Sequence, residues 1–184
     1  ALTSLWGIYG FGIVAVALRL RSEIFQKAGL ALITIAAVKL VFVDTFSVDL
    51  DPNTFSVILN WHFLTYLVVL VALLLSAYLY SRQRGKWSAE QGYAFTGIIV
   101  VANVVTFWVL NAEAIRFFDA MGIREGVDFI DAKQLTLTIL WTLYGMCIIA
   151  FGIARGSSKI RLSGIGLIGA AVLKLFLLDV FLLE

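Results

Sequence analysis

Two lysines and two aspartates lie inside apolar stretches of this sequence, where a charged side chain needs a partner. Lys39 precedes Asp44 in the run Lys-Leu-Val-Phe-Val-Asp, and Lys174 precedes Asp179 in Lys-Leu-Phe-Leu-Leu-Asp. An ionisable group at membrane depth costs about 3 kcal/mol on insertion scales, so such groups pair, reach water or extend to the interface. These four residues are therefore the first candidates for a buried polar or ion-pair site.

Three arrangements would satisfy these charges. Each lysine lies ~6–8 Å inside the outer end of its helix at a rise of 1.5 Å per residue, so its ammonium could extend to the lipid headgroups. Alternatively, Lys39 pairs with Asp179 and Lys174 with Asp44, or the lysines line a water-filled site for an anionic substrate. Pairing within one helix is disfavoured, because facing neighbours in an α-helix are three or four residues apart and not five.

Three further polar residues are candidates for a role in the membrane. Asn103 is predicted to be buried among valines, where an amide ordinarily bonds to a neighbouring helix. Asn60 and His62 lie at the predicted outer interface, at the start of a helix. His62 is the only histidine, which excludes a metal cage built from imidazoles and leaves a proton shuttle as a minor alternative to an ordinary surface residue. We predict no catalytic residue, no metal and no cofactor, because no phosphate loop, nucleophile with a base, or cysteine cluster is found.

The two lysine–aspartate runs belong to a longer internal repeat. Residues 2–44 and 137–179 align without a gap at a separation of 135 residues, with 16 identities in 43 aligned positions. The copies share the pattern Trp-x-x-Tyr-Gly, which begins at Trp6 and at Trp141, and they share a later glycine, Gly29 and Gly164. We therefore predict a duplicated helical hairpin, with one copy at each end of this sequence.

The composition identifies the bilayer as the solvent of this chain. Hydrophobic residues make up 61% and charged residues 14%, whereas soluble domains are about half apolar and about a quarter charged. The apolar runs have the length of roughly 20 residues that crosses a hydrocarbon core. We predict an all-α integral membrane protein with about six transmembrane helices, at residues 2–20, 24–46, 61–80, 93–110, 135–154 and 160–183.

These helices define three parts. The first repeated hairpin covers residues 1–46, a central pair of helices with outer loops covers 47–134, and the second hairpin covers 135–184. Residues 113–121 place apolar side chains at helical spacing, which predicts a short separate helix on the membrane surface. Small residues on the helix faces (Gly7, Gly10, Gly12, Gly164, Gly166 and Gly169) predict close helix contacts.

The placement of charge predicts the orientation. Three of the five links carry nine Lys and Arg residues, while the other two carry three basic residues and seven acids. Because short loops rich in Lys and Arg stay in the cytoplasm, we expect a bacterial inner-membrane location with both termini on the outer, periplasmic side. The two hairpins would then be parallel copies, of the kind that some transporters use.

These motifs resemble a bacterial membrane-protein family, the one labelled domain of unknown function 2339. The pattern of the first copy is Trp6-x-x-Tyr9-Gly10, Arg19-x-Arg21, Gly29 and Lys39-Leu40-x-Phe42-Val43-Asp44, and the second copy and residues 67–82 are also similar to the family. The resemblance implies long chains that cross the membrane many times, so this sequence, which begins without Met, would be a piece of one. It implies no catalytic residue, because the family has no assigned activity.

The leading functional hypothesis is a non-enzymatic membrane module of a larger envelope protein that lines a path for a polar or anionic solute or lipid. One alternative is a purely structural scaffold. Another is a membrane-embedded transferase that acts on a lipid-linked substrate through Asp44, Asp179 or His62. The expected partners are membrane lipids, the remaining segments of a longer chain or other membrane subunits, and not nucleic acid.

Overall fold

The computed structural model describes residues 2–46, 60–82, 89–126 and 128–179, and all of its regular elements there are helices. The helices are α1 Leu2–Leu20, α2 Glu23–Lys39, α3 Trp61–Ser81, α4 Ala89–Glu125, α5 Ile130–Ala154 and α6 Ser158–Lys174. Five-residue π-helical segments, Leu40–Asp44 and Leu175–Asp179, continue α2 and α6. Within these described ranges, six helices are long and apolar enough to cross a membrane. The predicted all-α membrane fold is confirmed.

The fourth helix differs from its prediction. It runs without interruption for 37 residues, about 55 Å at 1.5 Å per residue, so the predicted separate surface helix at residues 113–121 is wrong. The stretch from Leu110 to Met121 contains neither Gly nor Pro, and nothing in it breaks a helix that has already formed. The helix ends only where Gly126 adopts a left-handed conformation, with φ of 65°.

The chain forms two compact units. The first unit contains α1, α2, α3 and the part of α4 up to Val109, and the second contains the remainder of α4 from Leu110 together with α5 and α6. The predicted division into three parts is based on the internal repeat and not on compactness, and it stays a prediction.

In the first unit, glycines bring the backbones of α1 and α2 together. A Cβ atom at Gly10 would lie 2.5 Å from Ile33 Cγ1 and 3.0 Å from the carbonyl oxygen of Gly29. A Cβ atom at Gly7 would lie 3.3 Å from Val69 Cγ2 of α3. Around these contacts, Val14, Ile33 and Val69 are fully buried. Close helix packing at Gly7 and Gly10 is confirmed.

The second unit has the same contact at positions 135 residues later. A Cβ atom at Gly145 would lie 2.7 Å from Ile168 Cγ1 and 3.1 Å from the carbonyl oxygen of Gly164. The predicted packing role of Gly164 is confirmed. It is wrong for Gly12, Gly166 and Gly169, because an added Cβ atom at any of them would meet nothing within 4 Å in the part of the chain that the structure describes.

Candidate functional site

In the first unit, Lys39, Asp44 and Thr3 form a closed polar triangle. Lys39 Nζ pairs with Asp44 Oδ1 and donates to Thr3 Oγ1 over 3.0 Å, and Thr3 Oγ1 in turn donates to Asp44 Oδ2. Thr3 is 2% exposed, whereas the side chains of Lys39 and Asp44 are 28% and 23% exposed. The charge of Lys39 is therefore balanced by groups of its own hairpin.

The expectation that Lys39 and Asp44 would not pair within one helix is wrong. It assumed α-helical geometry, but the helix changes to a π-helix at Leu40, where hydrogen bonds run from residue i to residue i+5. Accordingly, Thr45 N donates to the carbonyl oxygen of Leu40 over 3.2 Å. In such a turn, residues five apart lie on the same side of the helix. Lys39 and Asp44 thus pair within the first hairpin, and the pairing between copies stays a prediction.

Next to this triangle, the hydroxyl of Thr45 joins three helices. It accepts from Trp108 Nε1 of α4 over 3.0 Å, bonds to the hydroxyl of Tyr66 of α3, and donates to the carbonyl oxygen of Leu40 over 3.0 Å. A hydroxyl can both accept and donate hydrogen bonds, so Thr45 links α3 and α4 to the π-helical segment that ends α2. Tyr66 is 2% exposed. None of these three side chains was predicted from sequence.

In the second unit, Lys174 has the equivalent threonine as a partner. Lys174 Nζ donates to Thr138 Oγ1 over 3.1 Å and to the carbonyl oxygen of Gln134 over 3.2 Å. Thr138 aligns with Thr3 in the repeat, and both are buried. The contact between lysine and threonine thus recurs in both hairpins. The side chain of Asp179 lies outside the described part of the chain.

The remaining sequence candidates have simpler roles. Asn60 caps α3, since its Oδ1 accepts from Phe63 N over 2.7 Å. His62 lies in the first turn of that helix and is half-buried. Asn103 is exposed and not buried as predicted, because the buried face of α4 is formed by Ile98, Ala102, Val105 and Val109. Asn103 therefore lies beside that face.

Two polar clusters at other positions were also not predicted. Near the start of α2, Gln26 Oε1 accepts from the hydroxyl of Tyr80 over 3.3 Å and from Gln91 Nε2 over 3.4 Å. In the second unit, Arg116 Nη1 and Glu113 Oε1 are 3.2 Å apart and both side chains are 7% exposed. In a sequence, opposite charges three residues apart ordinarily indicate an exposed helix face. The spacing alone does not show that these two side chains are buried.

Comparison with known proteins gives one family. A family model described as a predicted membrane protein, DUF2339, matches residues 48–184. The match includes α3 to α6 and the second hairpin, and it begins after the first hairpin. No curated protein and no solved structure matches the chain.

Proposed function

The chain belongs to the DUF2339 family of predicted membrane proteins, and we propose that it is a non-enzymatic structural module of a larger bacterial envelope protein. In this proposal, each hairpin is a rigid unit that other membrane segments pack against. The partners are membrane lipids together with the remaining segments of a longer chain or other membrane subunits.

The pairing of Lys39 with Asp44 and Thr3 carries this proposal. All three groups belong to one hairpin, and their hydrogen bonds form a closed triangle. A buried charge left without a partner is strongly destabilising, whereas a paired one is tolerated. Since Lys39 already has an anionic partner, the hairpin needs no anionic substrate to balance this charge.

Contacts at three levels then fix α1 against α2. A two-residue turn, Arg21 and Ser22, joins the helices at one end. Gly10 and Gly29 bring the backbones together in the middle, and the contact between Thr3 and Lys39 joins the other end. Together these contacts oppose sliding and rotation of one helix along the other, which is what a scaffold requires. The second hairpin has equivalent contacts at Gly145, Gly164, Thr138 and Lys174.

We further propose that the module lies in the inner membrane with both termini on the periplasmic side. The turns that connect α1 to α2 and α5 to α6 contain Arg21 and Arg155, and short loops rich in basic residues remain in the cytoplasm. In this orientation, Lys39 and Lys174 lie near the periplasmic ends of their helices. The copies would then be parallel.

A path for a polar or anionic solute or lipid is the second candidate. One observation favours it: the side chains of Lys39 and Asp44 remain about a quarter exposed. A passing anion would have to compete with Asp44 for the ammonium of Lys39. Water in contact with these residues is therefore the property that separates a path from a scaffold.

Labelling of single cysteines tests the two candidates. Cys147 is exposed, so the cysteines are introduced at positions 39 and 174 in a Cys147→Ser background and treated with a membrane-impermeant maleimide in intact cells. Buried Leu40 and its repeat counterpart Leu175 are the control positions. The scaffold predicts no labelling at 39, 174 or either control. Labelling at 39 and 174 without labelling at the controls supports the path and contradicts the scaffold.

The orientation of the module in the membrane is tested by a second labelling experiment in the same Cys147→Ser protein. Lys27 follows the first turn and its side chain is 66% exposed, so a cysteine at position 27 is reachable by the reagent from its own side of the membrane. We expect it to be labelled only after the cells are permeabilised. Labelling in intact cells would place the turn on the periplasmic side and contradict the proposed orientation.

A further inference from the structure

An open pocket of about 380 Å³ lies in the second unit, between the end of α4 and the start of α5. Its apolar lining includes Phe118 and Ile123 from α4 and Phe129 immediately before α5. Its charged lining consists of Asp119, Asp128 and Lys133. The pocket thus combines an apolar wall with charges of both signs.

The charged groups retain capacity for a ligand. Lys133 Nζ donates to Asp119 Oδ1 over 2.8 Å, and the two side chains are 24% and 38% exposed. A lysine ammonium has three N–H donors, and this contact uses one of them. Asp128 Oδ1 accepts from Ile130 N over 3.0 Å at the start of α5, while a carboxylate has a second oxygen to offer. With two carboxylates and one ammonium, the lining carries a net charge of −1.

The pocket lies beside the start of a membrane span. Lys133 is two residues before the apolar run at residues 135–154, whose length of about 30 Å matches the thickness of a hydrocarbon core. A pocket at this position is level with the lipid headgroups, and Phe118, at the level of Asp119 on α4, is the apolar lining residue on the side of the span. A diacyl lipid is therefore better placed to enter it than a solute from the aqueous phase.

We propose that this pocket binds the headgroup of a phospholipid that carries a primary amine beside its phosphate, as in phosphatidylethanolamine. Asp119 and Asp128 accept hydrogen bonds from the ammonium of the lipid, and Lys133 donates to its phosphate. Such charge-assisted bonds are about twice as strong as neutral ones. The side chain of Phe118 packs against the glycerol and the first methylene groups, while Ile123 and Phe129 border the headgroup on the side away from the span.

The same chemistry discriminates against other headgroups. The trimethylated ammonium of phosphatidylcholine has no N–H to donate to the carboxylates. Phosphatidylglycerol has no cation, and its negative charge meets a lining that is already negative. The order of affinity is therefore the most direct evidence for or against the proposal.

Native mass spectrometry of the detergent-solubilised protein with three lipids of identical acyl chains provides the test. We expect phosphatidylethanolamine to bind at least about tenfold more tightly than phosphatidylcholine or phosphatidylglycerol, which corresponds to one lost charge-assisted hydrogen bond. Comparable affinity for the three lipids overturns the proposal. This comparison uses the unmodified protein, so it does not depend on the folding of any variant.

Two substitutions locate the site. Asp119→Asn and Asp128→Asn each remove one carboxylate charge, and Asn at position 128 retains an oxygen that caps Ile130. We expect either change to reduce the preference for the amine-bearing lipid by about tenfold. Asp131→Asn is the matched control, because Asp131 is exposed and does not line the pocket, and it should leave the preference unchanged. An equal loss in the Asp131→Asn protein overturns the site.

A soluble competitor distinguishes the source of the headgroup. Glycerophosphoethanolamine has the same charged groups but no acyl chains. We expect it to displace the diacyl lipid only weakly, because it has no acyl methylene groups to pack against Phe118. Displacement at concentrations similar to those of the lipid would assign the pocket to a water-soluble amine and overturn the lipid proposal.

Discussion

Lys39 pairs with Asp44 five residues further along the same helix, and the pairing depends on the π-helical segment Leu40–Asp44 between them. Single π-turns in helices occur frequently at functional sites. Here the π-turn turns the carboxylate towards the lysine and places both next to Thr3 of the neighbouring helix. The second hairpin has its own π-helical segment at the equivalent positions, Leu175–Asp179.

Removal of one charge should cost more than removal of both. We expect Lys39→Met to lower the free energy of unfolding by about 1–2 kcal/mol, less than for a fully buried pair because both side chains are partly exposed. The double variant Lys39→Met with Asp44→Leu should recover most of this loss. Reversible unfolding in mixed micelles measures both. The exposed pair of Lys27 and Glu90, 2.7 Å apart, is the control, and Lys27→Met should have no measurable effect.

The threonine contacts allow the two hairpins to be compared. Thr3→Val and Thr138→Val each remove a hydrogen bond with a lysine on the neighbouring helix, and we expect each to destabilise the protein by about 1 kcal/mol. Thr→Ser at the same positions retains the hydroxyl and should restore most of the stability. Equal stability of the Val and Ser variants in the unfolding assay would show that these hydroxyls contribute only packing.

The close contact at Gly10 predicts that a larger side chain at this position destabilises the protein. At Gly10 an added methyl group would overlap Ile33 and the backbone of α2, so Gly10→Ala should cost about 1–3 kcal/mol through overpacking. Gly12→Ala is the matched control on the same helix, because its methyl group would meet nothing within 4 Å. Thermal unfolding in detergent distinguishes the two. A similar midpoint for both variants would mean that the helices adjust at little cost.

The hydrogen bond from Trp108 to Thr45 predicts that the indole N–H of Trp108 contributes to stability. Trp108→Phe keeps an aromatic ring on α4 but removes the Nε1 donor to Thr45, and we expect a loss of about 1 kcal/mol in the free energy of unfolding. Trp61→Phe serves as the control, since Trp61 is exposed. If both substitutions have the same small effect, the contribution of Trp108 is apolar contact and not hydrogen bonding.

Part of this architecture was predictable from sequence. The bounds of α1 agree with the prediction at both ends, because an apolar run is followed at once by a basic turn. The length of α4 was not predictable from hydropathy, since its C-terminal part contains several charged residues yet remains helical. Hydropathy measures affinity for the bilayer and not the continuity of the backbone.

The site was predictable only in part, for a related reason. Lys39 and Asp44 are detected because charges are rare in apolar runs. Their pairing depends on a π-turn, which leaves no periodic signal. A sequence signal for Thr3 does exist, because the same residue type recurs at Thr138 in the second copy of the repeat. The signal is weak, since threonine is common in membrane helices. Tyr66 and Trp108 belong to other helices, so only tertiary packing brings them to Thr45.

The turn between α1 and α2 provides the last prediction. Arg21 adopts a left-handed conformation with φ of 55°, and its counterpart in the second hairpin is Gly156, with φ of 63°. A residue with a Cβ atom pays about 1 kcal/mol in this region, whereas glycine does not. The first hairpin therefore carries backbone strain that the second avoids, and the strain accompanies a basic residue in a loop that is predicted to be cytoplasmic.

Two substitutions at position 21 separate strain from charge. Arg21→Gly removes both, and Arg21→Gln removes the charge but keeps the strained backbone. We expect the Gly variant to be more stable than the Gln variant by about 1 kcal/mol in the unfolding assay. If charge sets the orientation, both variants should shift the accessibility of a cysteine at position 27 to the same extent. Equal stability of the two variants would show that the turn relaxes around Arg21 without strain.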